Sequence, residues 1–476
     1  MILDKDYFII GFTRLLQGLI VFVSYRLMTH YLVAQEIGVY YLILSIIGLF
    51  SWLFINPVGV FMNRKIHAWF EKGQLGPKFS AFNLFLLASC FIAFVGTYLF
   101  QKFIVSEGYP LSLFLWIIPL TLFTQTWNNT IIPSLNMLGR RNIFIMLTLA
   151  TQILTVILAV LFMIFLKKNA FYWIMGAVVA QGLLTVVAFI YFLKKIQRVS
   201  TPVISQAQVS GLKPLLRFCI PIFLTNISFW LLSQGYRPLV KSLVGLEYLG
   251  LLGLGFGFAA SLATSFEYII HQLYFPLVYK KMHLENKGER ELFLQNFFQG
   301  VMPIYVQFML FVVCAAPFIG AVFFDKKFFM VWPFLAMGMM NEFFRMSANT
   351  IVLFTQSEFE THKIIKPYFY AMIISAFFIF ISIKIEESYW GIPLSLMLGY
   401  LLTFFFLLIK ISQSYKLKMN SLRLAPILLK SIPFLFLFFF YYVKENIWVS
   451  LSLLTLSGSY LLYLLLNMSK KLRSIF

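Results

Sequence analysis

The chain has 476 residues, of which 61% are hydrophobic and only 12% charged; its formal net charge is +21 and its mean hydropathy +0.87. A soluble domain carries about 25% charged residues to keep its surface wet, and surface grows too fast with size for a water-soluble fold to hide this much apolar chain. The solvent for most of these side chains is therefore lipid, and the unit of organisation is the membrane span of about 20 apolar residues.

Apolar runs separated by short polar breaks predict about fourteen spans, at 8–33, 37–62, 80–100, 111–135, 143–166, 170–193, 215–240, 248–278, 297–322, 329–354, 366–385, 389–410, 425–443 and 447–467. The last two are the shortest. Barrel strands would instead alternate over segments of about ten residues, so continuous stretches such as Leu147–Leu166 and Phe434–Val443 indicate helix. The first span holds Arg14 and Arg26 and lacks a small-residue cleavage site, so it does not read as a cleaved signal peptide. Cys90, Cys219 and Cys314 all fall inside spans, in odd number and at no metal-site spacing, and read as small packing residues.

With the N-terminus inside, inward loops hold about 24 Lys and Arg against about 8 outside, the bias that orients membrane proteins. Inward examples are Arg64, Lys65, Arg140, Arg141, Lys194, Lys195, Lys280 and Lys281; outward ones are Lys102, Lys167, Lys168, Lys326 and Lys327. Both termini are then expected in the cytoplasm, with the basic loops a solvated face beside anionic membrane lipids. Nucleic acid is not an expected partner, because no soluble segment interleaves basic and aromatic residues.

The only long cytoplasmic break, Lys194–Pro214, follows span six and separates two similar halves. Tyr25-Arg26, His30 and Leu32-Val33 reappear as Tyr236-Arg237, Lys241 and Leu243-Val244, each displaced by the same 211 positions. Glu36-Ile-Gly38 echoes Glu247-Tyr-Leu-Gly250 with one residue inserted, and Lys65, His67 and Glu71-Lys72-Gly73 echo Lys281, His283 and Asn286-Lys287-Gly288. An even number of spans per half makes the repeats parallel, related by a pseudo-twofold axis along the membrane normal, with a binding site expected between halves that rock. The expected fold is all-α: a polytopic membrane bundle of two six-helix halves, residues 1–193 and 215–411, joined by a cytoplasmic linker at 194–214. Two additional C-terminal helices at 412–476 complete it.

Charges retained inside spans are costly and mark function. Span one carries Arg14, Gln17, Arg26 and His30; span seven carries Asn226, Gln234, Arg237 and Lys241. At 100° per residue Asn226, Arg237 and Lys241 share one helix face. The repeat-paired Arg26 and Arg237 have two readings: snorkelling to the outer headgroups, or lining a cavity that attracts an anionic group, for which the guanidinium fork suits phosphate. Deeper still, Glu267 precedes His271 by one turn and Glu342 precedes Arg345 by three residues; Glu267 is offset by 211 from Asn56, which precedes Pro57. Asn341 and Asn349 flank Arg345, and Asn128 and Asn129 occupy the matching place in span four. Glu342 with Arg345 reads as a structural pair, or Glu267, His271 or Glu342 reads as a coupling residue for a proton or cation gradient, no other cofactor being implied. Pro119, Pro133, Pro221, Pro276, Pro303, Pro317 and Pro333 are expected to kink spans.

Two six-span bundles with cationic helices one and seven, a basic break and two appended spans resemble the multidrug/oligosaccharidyl-lipid/polysaccharide (MOP) exporter superfamily. Within it the chain looks most like the Wzx-type polysaccharide (O-antigen) flippases. The stretches that carry the resemblance are Tyr31-Leu-Val-Ala-Gln-Glu-Ile-Gly-Val-Tyr-Tyr41, Phe324-Asp-Lys-Lys-Phe328 and Tyr389-Trp-Gly-Ile-Pro393. It lacks the Arg-Asp and Pro-Asn signatures of lipid II flippases around spans one and two.

The resemblance implies flipping of undecaprenyl-pyrophosphate-linked oligosaccharide across the bacterial inner membrane, for O-antigen or similar lipopolysaccharide and polysaccharide biosynthesis, beside polymerase and ligase machinery. The pyrophosphate would meet Arg14, Arg26, Arg237, Lys241 and Arg345, and the sugar would meet amides such as Asn226, Gln234 and Asn128. The alternatives are a multidrug exporter of the same superfamily, whose cavity would be acidic and aromatic for cationic drugs, another lipid exporter of that superfamily, and a polysaccharide polymerase or ligase. The latter would be an enzyme needing a long outward loop, whereas the longest here is Gln101–Pro110.

Overall fold

A computed structural model describes residues 5–71, 73–101, 108–137, 139–197, 212–282, 287–358, 360–385, 390–415 and 425–473. All regular structure among them is helical. The α-helices are α1 (Lys5–Tyr31), α2 (Ala34–Phe50), α3 (Asn56–Glu71), α4 (Leu75–Leu99), α5 (Leu111–Met137), α6 (Arg141–Phe165), α7 (Ala170–Gln197) and α8 (Leu212–Ser233). There follow α9 (Tyr236–Leu243), α10 (Leu246–Met282), α11 (Lys287–Phe323), α12 (Trp332–Ser357), α13 (Ile365–Lys384), α14 (Gly391–Tyr415), α15 (Ala425–Leu435) and α16 (Ile447–Arg473). Because α2 runs into α3 through a π-helical turn at Ser51–Ile55, and α9 follows α8 almost directly, each expected span has its rod.

Among the described residues, eleven of these rods are long and apolar enough to cross a membrane by length and composition. The rods outside that set are α1, α5 and α12; α5 carries Gln125, Asn128 and Asn129, and α12 carries Asn341, Glu342, Arg345 and Asn349. In α5 and α12 those amides and charges lower the mean hydropathy of the span, whereas most of the first half of α1 lies outside the residues whose side chains are described.

The described chain divides into two compact units, Met1–Gly250 and Leu251–Phe476. The sequence-expected linker lies mostly outside the described residues, with α7 reaching Gln197 and α8 starting at Leu212. Span seven, as α8 and α9, belongs to the first unit.

In the first unit Glu36 near the start of α2 works as a clip. One carboxylate oxygen accepts the Ala170 backbone N–H at 2.8 Å, one of the donors that a helix N-terminus leaves unpaired. The other accepts the Tyr109 hydroxyl, and burial together with this bond pushes the Tyr109 phenol well above its ordinary pKa. The α2 and α10 starts also meet backbone to backbone. A Cβ on Gly38 would stand 2.1 Å from the Leu246 carbonyl oxygen, and one on Gly250 would stand 1.9 Å from the Ala34 carbonyl oxygen. Each glycine lies one turn into its helix and faces the first residue of the other, so the sequence-paired glycines pack reciprocally.

In the second unit span thirteen is not α-helical throughout. Pro433 removes an N–H and its ring crowds the carbonyl one turn back, and α15 gives way to a 3₁₀-helix at Phe436–Val443. At about 1.5 Å per α residue and about 2 Å per 3₁₀ residue, this short span reaches about 33 Å, enough for a hydrocarbon core. Gln307 of α11 donates to the Ile427 carbonyl at 2.8 Å and accepts from Ser431 at 3.1 Å, fixing α15. Pro333, expected to kink span ten, instead starts α12, where a missing N–H costs nothing.

The close glycine contacts have a direct consequence. Gly38→Val or Gly250→Val should cost more than the roughly 1–3 kcal/mol of ordinary overpacking, because the new side chain meets backbone. Size-exclusion chromatography in detergent should show loss of monodisperse protein for both. Gly59→Ala, where a Cβ meets nothing within 4 Å, should behave as the parent.

Candidate functional site

Three polar groupings lie inside the spans. The first is built on the π turn. Pro57 has no N–H to donate, and the Asn56 N–H bonds to the Ser51 carbonyl in the wider π register. The Trp52 carbonyl thereby loses its α partner to Ser51 and finds proline where its π partner would be. Asn226 of α8 supplies the missing donor at 2.7 Å and also donates to the Asn56 side chain at 3.2 Å. Around it Trp52 stacks on Phe229, centroids 4.5 Å apart, and the Trp230 indole donates to the Ser45 carbonyl at 2.9 Å. An orphan carbonyl in hydrocarbon is expensive, so Asn226 is bound to this turn as its partner.

The second grouping holds Arg237. Its Nη1 donates to the Tyr41 carbonyl at 3.2 Å, and its guanidinium lies 5.2 Å from the Tyr41 ring and 5.9 Å from the Tyr236 ring. Tyr41 in turn contacts the Tyr25 hydroxyl at 3.5 Å. Arg26 Nη1, Arg237 Nε and Gln234 Oε1 are buried with no hydrogen-bond partner among the described residues. Gln234 Oε1 sits where a Cβ on Gly48 would be, 2.6 Å away.

Asn226 and Arg237 both donate to the rod of α2 and its π turn, at the Trp52 and Tyr41 carbonyls, although span seven breaks between them at Gln234-Gly235. The reason is Pro238: it cannot donate to the Gln234 carbonyl, and the Arg237 N–H takes that carbonyl at 3.1 Å instead. The segment Gln-Gly-Tyr-Arg-Pro carried that signal. Lys241 falls in the last turn of α9, where its charge suits the helix dipole. The side chain of Arg14 lies outside the described residues.

The third grouping is in the second unit. Glu267 of α10 and Glu342 of α12 are both buried, at 6% and 7% exposure. Arg345 joins them, with Nε 2.5 Å from Glu342 and Nη1 3.1 Å from Glu267. Asn349 donates to Glu267 at 3.0 Å, and the His271 imidazole stands 3.6 Å from the same carboxylate. The structure thus forms the expected Glu342–Arg345 pair and, through the same guanidinium, joins to it the second pair of Glu267 and His271. Two carboxylates face one guanidinium, with the His271 imidazole beside one of them.

Asn128, expected to meet sugar, donates to Thr185 of α7 at 3.1 Å. Its neighbour Asn129, with Gln125 one turn before it, lines a cavity of about 240 Å³ between the π turn, α3, α4 and α5. The one-turn spacing of Gln125 and Asn129 was the available signal for that face.

Asn226→Leu should destabilise by about 1–3 kcal/mol by orphaning the Trp52 carbonyl. In a Pro57→Ala background, where an N–H returns, the same change should cost clearly less; thermal unfolding in detergent measures this cycle. Arg345→Met should cost about 3–5 kcal/mol, because it leaves two buried carboxylates uncompensated. Adding Glu267→Gln and Glu342→Gln should recover most of that loss in the same measurement.

No family model matches the chain, and no curated protein matches it. Solved structures do. The lipid II flippase MurJ in its inward closed conformation superposes with a TM-score of 0.67 at 13% identity, covering 98% of each chain. The eukaryotic MATE transporter AtDTX14 gives 0.52 at 11% identity, over 86% of this chain and 97% of that one. An inward-facing multidrug resistance MATE family transporter of the MOP superfamily gives 0.50 at 15% identity, over 86% and 96%. The chain has the all-helical membrane fold that the lipid II flippase and the MATE transporters share.

Proposed function

We propose that the chain is a MOP-type flippase of Wzx character. It carries undecaprenyl-pyrophosphate-linked oligosaccharide repeat units from the cytoplasmic to the periplasmic leaflet of the bacterial inner membrane, with both termini in the cytoplasm. The observation that carries this reading is the pair Arg26 and Arg237. They occupy equivalent places in the sequence repeat, sit in helices of a flippase-like fold, and each keep one buried guanidinium nitrogen without a hydrogen-bond partner among the described residues. A pyrophosphate supplies the paired acceptor oxygens that such forks match. The prenyl tail stays in lipid, and the two six-span repeats, 1–193 and 215–411 with 412–476 appended, alternate access around the substrate. O-antigen polymerase and ligase machinery would take over the product.

The cluster of Glu267, Glu342, Arg345 and His271 serves coupling. A proton or monovalent cation joins its carboxylates in one state and is released in another. Arg345 holds both carboxylates through Nε and Nη1, with its buried Nη2 without a hydrogen-bond partner among the described residues, and belongs to this group more than to the substrate cations.

The test is reconstitution into liposomes with a fluorescent polyprenyl-pyrophosphate oligosaccharide. The parent should move it to the opposite leaflet, and Arg26→Glu or Arg237→Glu should bring transport to the level of empty vesicles. Arg237→Lys should retain a reduced rate, about tenfold lower, because lysine keeps the charge and loses the fork. Full transport by both charge reversals returns these arginines to snorkelling. Glu267→Gln and Glu342→Gln should change the dependence of rate on pH or on sodium; an unchanged dependence in both removes the coupling role.

A further inference from the structure

The cavity of about 240 Å³ in the first unit differs in chemistry from both charged groupings. Its wall carries Ser51, Asn56, Gln125, Asn129, Thr130 and Ser134, and none of the described lining residues is charged. Asn56 and Asn129 are exposed even though each stands within a helix of an apolar span. Amides at such depth are kept only where they face a polar cavity or a partner.

The hydrogen-bond directions define what the wall accepts. Thr130 gives its hydroxyl proton to the Thr126 carbonyl at 2.7 Å, and Ser134 gives its own to the Thr130 carbonyl at 2.6 Å. With their protons spent on backbone, these hydroxyls offer the cavity lone pairs. The side-chain amides add both donors and acceptors. An acceptor-rich, uncharged wall suits a neutral ligand rich in O–H groups. Phosphate or carboxylate would enter without a countercharge, and a cation would find no carboxylate among the described lining residues.

Shape agrees with chemistry. Ile55, Val60, Phe79 and Phe82 line the same space, giving apolar surface to the C–H faces of a ring whose edges are hydroxyls. Drug-sized ligands fill about 300–1,000 Å³, so this cavity holds one ring rather than a chain of them. Position agrees as well, since the lining residues of α5 lie in its C-terminal half, toward Arg140 and Arg141, the end that the positive-inside bias assigns to the cytoplasm.

The repeat supplies an internal contrast. Asn56-Pro57 corresponds to Glu267-Tyr268, where proline is missing and α10 continues unbroken. There the position is filled by an ion pair to Arg345. In the first unit the π turn and a neutral asparagine line a cavity instead.

We propose that this cavity is the subsite for one uncharged sugar ring of the glycan. The assignment rests on the flippase reading for the source of that sugar, and on the wall itself for its chemistry. Asn56 ties the subsite to α8, because the side chain that lines the cavity also accepts from Asn226.

The experiment places a reporter in the wall. Gly59 lines the cavity and has room for a Cβ, so Gly59→Cys is made in a chain whose Cys90, Cys219 and Cys314 are alanine. The purified full-length protein is labelled with a small neutral methanethiosulfonate. Methyl β-D-glucopyranoside or methyl N-acetyl-β-D-glucosaminide at tens of millimolar should slow labelling several-fold. Mannitol and glucose 6-phosphate at equal concentration should not. Asn129→Leu should abolish the protection while leaving labelling without sugar and circular dichroism unchanged.

No slowing by either glycoside, or equal slowing by mannitol, overturns the subsite and leaves a hydrated cavity. The liposome assay separates the two readings. Protection without translocation keeps the sugar site and removes the flippase; translocation without protection does the reverse.

Discussion

In hydrocarbon no water stands ready to satisfy a polar group, so each one left inside the spans must find its partner in the chain or in a ligand. The structure turns on how this is met at the Trp52 carbonyl. A proline at position 57 makes the regular ladder impossible, the helix widens into a π turn, and one carbonyl is left over. Asn226 closes the account, and in doing so fixes α8 against the end of α2 through a bond of 2.7 Å. The stacked Trp52 and Phe229 and the Trp230 indole bond follow from that approach. The wider turn also shapes the neutral cavity, since Ser51, Ile55 and Asn56 form part of its wall.

The repeat shows the same rule answered twice. Where the first half has Asn56 before a proline, the second has Glu267 before Tyr268. A buried carboxylate demands a cation, and Arg345 with Asn349 provides one charge and one further hydrogen bond. A second carboxylate, Glu342, shares the same arginine. The two positions offset by 211 residues are thus met differently, one by charge and one beside a neutral cavity. Gly38 and Gly250 are alike for a local reason, because a backbone-to-backbone crossing leaves no room for a side chain on either helix.

Much of the fold was legible in the sequence, for a physical reason. Lipid imposes a length and an apolar composition on every span, and fourteen such stretches stand out even when α5 and α12 are diluted by amides and charges. The one-turn pairs Glu267 with His271 and Glu342 with Arg345 were legible from helix spacing; that Arg345 also reaches Glu267 and so joins the two pairs was not. What escaped was local backbone geometry. The break at Gln234-Gly235 needed Pro238 to be read as the end of a hydrogen-bond ladder rather than as one more kink. The π turn needed the combined consequence of Pro57 and a distant asparagine. The 3₁₀ stretch after Pro433 needed the shortfall in span length to be set against the rise per residue. Asn128 and Asn129 are adjacent and alike, and only the helix rotation of about 100° between them decides which one meets Thr185 and which one lines the cavity.

The division of chemistry within the first unit bears on how one substrate can be held by so few polar groups. A lipid-linked glycan is a neutral polyol joined to a diphosphate joined to a hydrocarbon, and no uniform cavity suits all three. A strongly cationic wall would hold the diphosphate and repel nothing in the sugar, yet it would bind free phosphates and lipid headgroups equally well. A neutral wall that offers mostly lone pairs discriminates against every anion and selects for hydroxyl donors. Under the proposed function, placing the two chemistries apart lets each reject what the other accepts, so that selection arises from a substrate long enough to satisfy both. The bond from Asn226 to Asn56 then has a role beyond packing: it joins the helix that leads into Arg237 to the wall that faces the sugar.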